Sequence, residues 1–237
     1  MAYQTTFQRY EIKYLLTPLQ KARLAESMAS HMQIDAYGRT TIRNLYFDTD
    51  SYRLIRHSLE KPVYKEKLRI RSYRPVASED PVFVELKKKY RSVVYKRRLA
   101  IPEADAMQSF QTGKALPVDS QIAKEIEYFR TYYCSLHPVV FLSYEREAYY
   151  ALDGSDFRVT LDEHILYRQQ ELSLGSDVYG IPILPEDCTL MEVKTSGGMP
   201  LWMSHFLTEQ RVFQTSFSKY GTAYEHMSRL QGGLRNA

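Results

Sequence analysis

Basic and acidic side chains recur in this chain at every second position. Arg9, Glu11 and Lys13 alternate with Tyr10, Ile12 and Tyr14. Lys67, Arg69 and Arg71 alternate with Leu68 and Ile70, and Glu85 and Lys87 with Val84 and Leu86. The pairs Lys96 and Arg98, Tyr144 and Arg146, Arg158 and Asp162, and Glu192 and Lys194 repeat the pattern. An extended strand sends residues i, i+2 and i+4 to one face, so each segment carries one charged and one apolar face. Arginine forks and lysine point charges match phosphate oxygens. The interspersed acids Glu11, Glu85 and Glu192, each two positions from a lysine, suit a hard divalent cation, Mg2+ or Mn2+, that bridges phosphate oxygens. Cation clamps and a carboxylate-held metal are the parts of phosphoryl transfer, where catalysis is mostly positioning and charge stabilisation.

Strands of this kind must be held so that their charged faces meet. The pattern predicts strands over Arg9–Leu15, Thr41–Asp48, Lys67–Arg74, Pro81–Lys88, Val93–Ile101, Val139–Tyr150, Phe157–Asp162 and Cys188–Thr195. Helices are predicted from Pro18 to about Met32, behind a Thr17 N-cap, and over Asp50–Ser58, Pro102–Phe110, Ser120–Cys134, Pro200–Glu209 and Ser216–Leu230. Any one strand taken alone also fits an ordinary sheet with a solvated polar face. The set argues otherwise. Arg and Lys dominate where a solvent face would mix in Ser, Thr, Gln and Asn, and the helices need the apolar strand faces to pack on. The expectation is an α+β chain, one domain over 1–237, built as a closed eight-stranded antiparallel β-barrel tunnel with helices packed on its outside.

Composition narrows the function classes. The net charge of +4 over 237 residues permits an anionic partner without demanding one. The 20 tyrosines suit sheet faces that are packed at one end and wet at the other. Cys134 and Cys188 lie far apart with no CxxC spacing, which predicts two buried free thiols in a reducing compartment. No apolar run reaches the length of a membrane span and no signal-peptide h-region opens the chain, which predicts a cytoplasmic protein. The six histidines show no metal spacing, and neither a P-loop nor a Gly-rich nucleotide motif is present. Successive members of the basic runs 87–89 and 96–98 point to opposite strand faces, so no nucleic-acid partner is expected. A basic-aromatic RNA-binding sheet is the competing reading. Trp202 is expected to anchor a helix on the barrel. Asp48 and Asp162 read equally as partners of buried cations or as strand-end turn residues.

At these residues the chain resembles the VTC domain, the polyphosphate-polymerase domain of the triphosphate tunnel metalloenzymes. The resemblance runs from about Phe7 to Tyr224 and is carried by the ordered set Arg9-Tyr-Glu-Ile-Lys13-Tyr, Leu45-Tyr-Phe-Asp48, Leu68-Arg-Ile-Arg71, Val84-Glu-Leu-Lys87, Tyr144-Glu-Arg146, Leu190-Met-Glu-Val-Lys194 and Ser216-Phe-Ser-Lys219-Tyr. It implies transfer of the terminal phosphate of ATP to inorganic polyphosphate inside a cationic tunnel. By resemblance Lys13, Arg69, Arg71, Lys87, Arg146 and Lys194 are the catalytic set, and Lys96 joins them along the phosphate path. Tyr144 binds a phosphate and Glu192 ligates the metal, while Ser218 and Lys219 close one end; Arg9 and Arg98 complete the substrate-binding set. The superfamily's first strand carries Glu-x-Glu-x-Lys, whereas here Arg9 replaces the opening acid, which points to longer anionic substrates. A tunnel tripolyphosphatase or nucleoside triphosphatase, and a non-catalytic polyphosphate-binding module, are the alternatives.

Overall fold

Thr17 and Gln20 start the first helix as the sequence predicts. The Thr17 hydroxyl accepts from the Gln20 backbone N–H at 3.3 Å, and the Gln20 side chain accepts from the Thr17 N–H at 3.0 Å, with Pro18 at the first helical position. This helix, α1 (Pro18–Met28), follows strand β1 (Thr6–Leu16). It stops short of Met32 because residues 32–34 leave it to pair with a later strand. The computed structural model describes residues 6–91 and 93–234, with only the backbone of 6–9 and 231–234. Among these, the remaining strands are β2 (Met32–Ile34), β3 (Thr40–Asp48), β4 (Tyr64–Ser72), β5 (Pro81–Tyr90), β6 (Val93–Pro102), β7 (His137–Ala151), β8 (Arg158–Arg168), β9 (Ile181–Pro182), β10 (Thr189–Thr195) and β11 (Gln214–Thr215). The remaining helices are α2 (Arg53–Leu59), α3 (Glu103–Thr112), α4 (Gln121–Tyr133), α5 (Leu201–Glu209) and α6 (Lys219–Leu234).

The expected closed eight-stranded barrel needs correction. The strands form one curled antiparallel sheet of eleven, in the order β2-β7-β3-β4-β5-β6-β1-β10-β8-β9, with β11 on β1 and a further pairing of β7 with β8. The extra strands divide edges that a plain eight-stranded ring would keep whole. β1 pairs with β6 only from Thr6 to Arg9 and then hands that edge to β11 at Lys13 and Tyr14. β7 gives one edge to β3 and β2, while β8 gives one to β10 and β9. The short strands β2, β9 and β11 are two or three residues long, too brief to show an alternating pattern in sequence.

Helices cover the apolar faces. Leu68, Ile70, Val84, Leu86 and Leu99 pack with Ala106 and Phe110 of α3 and with Ala123, Ile126 and Phe129 of α4. Met191, Val193, Val159 and Leu161 pack with Leu24 and Met28 of α1 and with Met203 and Phe206 of α5. Trp202 of α5 stacks on His31 at 4.9 Å and meets Phe157 edge-on, so it anchors that helix as expected. Asp48 ends β3 directly before a turn, as the strand-end reading has it, and is not a partner of buried cations. Its carboxylate accepts from the backbone N–H groups of Thr49, Leu54 and Ile55 and from the Tyr220 hydroxyl, capping α2 and tying α6 to it. Neither cysteine is buried: both are free, with Cys134 exposed at the end of α4 and Cys188 partly exposed. No helix of the described residues is long and apolar enough to cross a membrane.

Candidate active site

With the helices on the apolar side, the charged residues share the concave face of the sheet, and the strand registers set them side by side. Arg69 of β4 lies opposite Glu85 of β5, which lies opposite Arg98 of β6. Glu11 and Lys13 of β1 lie opposite Lys194 and Glu192 of β10, and Arg146 of β7 lies opposite Asp162 of β8. One row has no alternation of sign: Lys67, Lys87 and Lys96 are direct cross-strand neighbours on β4, β5 and β6. Like charges so placed repel.

Two carboxylates act as hubs. Glu85 is 1% exposed and pairs with Arg69 at 2.7 Å, Lys96 at 2.6 Å and Arg98 at 2.5 Å, with Arg71 at 4.0 Å. Burial alone would raise its pKa, but Lys96 and the three guanidinium groups hold it well below the usual carboxylate range. Glu192 meets Lys219 at 3.1 Å, Lys194 at 3.2 Å, Arg146 at 3.4 Å and Lys13 at 3.6 Å, and is likewise held far down against burial, by Lys219 foremost. Asp162 takes both arms of Arg146 at 2.6 Å and Lys219 at 2.5 Å, which settles its role as a partner of buried cations. Glu11 binds Lys87 at 2.5 Å; burial opposes its ionisation, yet that ammonium keeps its pKa at about 2.

The cations still outnumber these acids. Lys67 pairs with no carboxylate among the described residues and donates only to the Ser218 hydroxyl, at 2.9 Å. Burial, with Lys13, Lys65, Lys87 and Arg69 adding repulsion, depresses its pKa well below the lysine norm. Burial likewise lowers Lys13, and lowers Lys96 strongly despite Glu85. Lys194 falls to about 8, because burial outweighs Glu192. Lys219 goes the other way, since Asp162 and Glu192 together outweigh burial.

Neutral groups steer the arginines. Tyr46 accepts from Arg69 at 2.9 Å, Asn44 from Arg71 at 2.9 Å and Tyr144 from Arg71 at 2.7 Å. Ser218 and Lys219, at the start of α6, reach into this face between the strand charges, so that helix end sits against the site.

The structure therefore gathers Lys13, Arg69, Arg71, Lys87, Lys96, Arg98, Tyr144, Arg146, Lys194, Ser218 and Lys219 of the sequence-derived set. The Arg9 side chain lies outside the described residues, and Arg158 is exposed. The three acids proposed for metal do not stand together. Glu11 and Glu192 influence each other's ionisation, with Asp162 beside Glu192, whereas Glu85 sits apart in its arginine and lysine cage. Lys67 and Asp162 are missing from the sequence-derived site set although each falls on the charged face. The signal was the alternation itself.

Residues 8–228 match the VTC domain family model. The chain belongs to the VTC domain family. No curated protein matches it. Among solved structures, a candidate adenylate cyclase of Bacillus halodurans superposes with a TM-score of 0.58 at 16% identity, over 91% of this chain and 96% of its own. A candidate adenylyl cyclase of Hippeastrum, described as having a dominant triphosphatase activity, gives the same score and identity over 92% and 96%. These likenesses show a shared fold.

Membership places this VTC domain among the triphosphate tunnel metalloenzymes and implies dependence on a divalent ion. The residues present fit such an ion in one way. No group of three His, Cys, Asp or Glu ligands converges among the described residues. One or two carboxylates, supplemented by substrate phosphates and water, are the usual protein share of a Mg2+ shell, and Glu11 and Glu192 are the residues that would hold such an ion.

The Lys194 shift predicts a pH dependence. A phosphate ligand favours the ammonium form, so affinity of the VTC domain for tripolyphosphate is flat below about pH 8 and falls above it, by up to about tenfold per pH unit for each coupled proton. Lys67 adds in the same direction. The stability of the ligand-free protein moves oppositely. A lysine with its folded pKa near 8 and its unfolded pKa near 10.5 destabilises the fold most below 8, so stability rises with pH between the two values. Calorimetric titration and urea unfolding from pH 7 to 10 check both signs.

Proposed function

We propose that this VTC domain is a metal-dependent phosphotransferase that moves the terminal phosphoryl group of ATP onto inorganic polyphosphate. The observation that carries the reading is the cross-strand row of like charges Lys67, Lys87 and Lys96, in which Lys67 has no carboxylate partner among the described residues, beside the Arg69, Arg71 and Arg98 cluster. Such a concentration of half-buried positive charge is costly without an anion, and an extended phosphate chain neutralises it at repeated intervals along the strands. Arg69 and Arg71, steered by Tyr46, Asn44 and Tyr144, hold phosphate oxygens in fixed directions. Lys219, kept protonated by Asp162 and Glu192, places a full charge where negative charge gathers in the transition state. The bond from the γ-phosphorus to the β–γ bridging oxygen breaks, and ADP leaves with that electron pair. A terminal oxygen of polyphosphate forms the new P–O bond. That oxygen is already ionised at neutral pH, so the transfer needs no general base. A divalent ion held by Glu11 and Glu192, when bound, neutralises phosphate charge.

Water in place of polyphosphate as acceptor gives the second reading, a triphosphatase, which the activity named for the Hippeastrum protein supports. Incubation with ATP and Mn2+, with products resolved by gel, separates the two. Ladders of growing polyphosphate are the expected result; orthophosphate and ADP alone would convert the assignment to hydrolysis. Loss of both products in Glu192→Ala is expected, while turnover indifferent to that change would leave only a binding module.

A further inference from the structure

The opposite face of β3 holds a second, separate arrangement. Arg43 points away from the concave face, on the side of Leu45 and Phe47, and is only 8% exposed. Its register partners on that face are Ser72 of β4 and Ser143 of β7, which are 2% and 0% exposed. The Arg43 Nε and both serine hydroxyls are buried without a hydrogen-bond partner. No ion pair or ring contact engages Arg43 among the described residues, and a guanidinium with a buried, unpaired Nε–H requires an explanation.

A cavity of about 380 Å3 adjoins it, with Thr41 and Arg43 of β3 and His164 and Leu166 of β8 in its wall. Val178 lines it as well, from the loop that Arg168 holds by hydrogen bonds to the carbonyls of Glu171, Asp177 and Tyr179. His164 has a left-handed backbone, φ 47°, at the register shift between β7 and β8, and such a bulge re-aims a side chain. Glu145 also lines the cavity, but Arg39 at 2.6 Å and His164 at 3.1 Å already engage its carboxylate. Asp177 exerts an attraction on Arg43 without forming an ion pair, and burial with Arg168 nearby pulls the Arg43 pKa down. The positive charge is therefore left over.

We infer that this cavity is an anion-binding site outside the phosphotransfer face, in which Arg43 takes the oxyanion head of a small ligand, a phosphate or a short carboxylate. Leu166 and Val178 supply apolar wall for the ligand's body. The site does not rest on the phosphotransfer reading, because Arg43 is on the other face of β3, although Tyr144 borders both places.

Crystals of the full chain soaked in sodium tungstate test the position directly. An anomalous peak within hydrogen-bonding distance of the Arg43 guanidinium supports the site, and peaks confined to the concave face overturn it. In solution, orthophosphate titrated into the wild type is expected to show a class of sites that Arg43→Met weakens at least about tenfold while the remaining class is unchanged. Identical isotherms would refute the site. Thermal unfolding in anion-free buffer adds a readout that a purely structural arginine moves the other way: Arg43→Met melts at or above the wild type if the charge is held for a ligand, and below it if Arg43 serves the fold. Malonate in the same titrations separates a carboxylate ligand from a phosphate one. Should Arg43→Met fail to fold, the tungstate soak of the wild type decides.

Discussion

Lys67→Met is expected to melt above the wild type in phosphate-free, low-salt buffer and yet to turn over ATP about 100- to 1,000-fold more slowly. The opposed signs follow from one geometry. Lys67 is half-buried beside Lys13, Lys65, Lys87 and Arg69, directly opposite Lys87, and its one hydrogen-bond partner among the described residues is the Ser218 hydroxyl. Methionine keeps the length of the stem and removes a charge whose burial and repulsion oppose folding. The gain is about 2 kcal/mol after the lost hydrogen bond is subtracted, or roughly 4–8 °C for a chain of this size. With a phosphate chain bound, the same ammonium is an attractive contact and its loss weakens transition-state stabilisation. Scanning calorimetry with and without tripolyphosphate, beside single-turnover kinetics, measures both. A lower melting temperature in the ligand-free protein would show that Lys67 is stabilised by groups other than a bound anion.

Glu85→Gln has the reverse profile. The amide keeps the shape but removes the charge that Arg69, Lys96, Arg98 and, at longer range, Arg71 surround. Breaking a buried ion network by deleting one partner typically costs about 3–5 kcal/mol, because the remaining charges are left unpaired. Tripolyphosphate is expected to recover a larger share of stability in this variant than in the wild type, since it replaces the missing negative charge; saturation at about 100 times Kd is worth about 2.7 kcal/mol in the simplest case. Urea unfolding with a tripolyphosphate series provides the comparison. An unchanged midpoint in Glu85→Gln would mean that solvent, not Glu85, neutralises the arginines. The result also bears on the metal: if Glu85 serves as counter-charge to Arg69, Lys96 and Arg98, Glu11 and Glu192 would be the carboxylates left for a divalent ion.

Much of this site was legible before any coordinates, because period-two alternation is a local property. Arg69 and Arg71 with Leu68 and Ile70, or Glu192 and Lys194 with Met191 and Val193, declare two faces from the chain itself. The α1 start was equally local, written in Thr17, Pro18 and Gln20. Partnership was not local. That Glu85 belongs to the arginines and Glu11 to Lys87 depends on which strands adjoin, and strand order is a matter of sequence separations as long as the one between β1 and β10. The fates of Asp48 and Asp162 diverged for the same reason: one faces helix N–H groups, the other Arg146 and Lys219.

The amino-acid order by itself determined which residues share a charged face and that helices must cover the apolar one. Only the tertiary structure decided how the strands share their edges, giving one curled sheet of eleven in place of a plain eight-stranded ring. It alone left Lys67 and Arg43 without an ion pair among the described residues, one on each face of the sheet. Side-chain direction is set by each residue's own backbone, whereas charge balance is set by the neighbours that other strands bring.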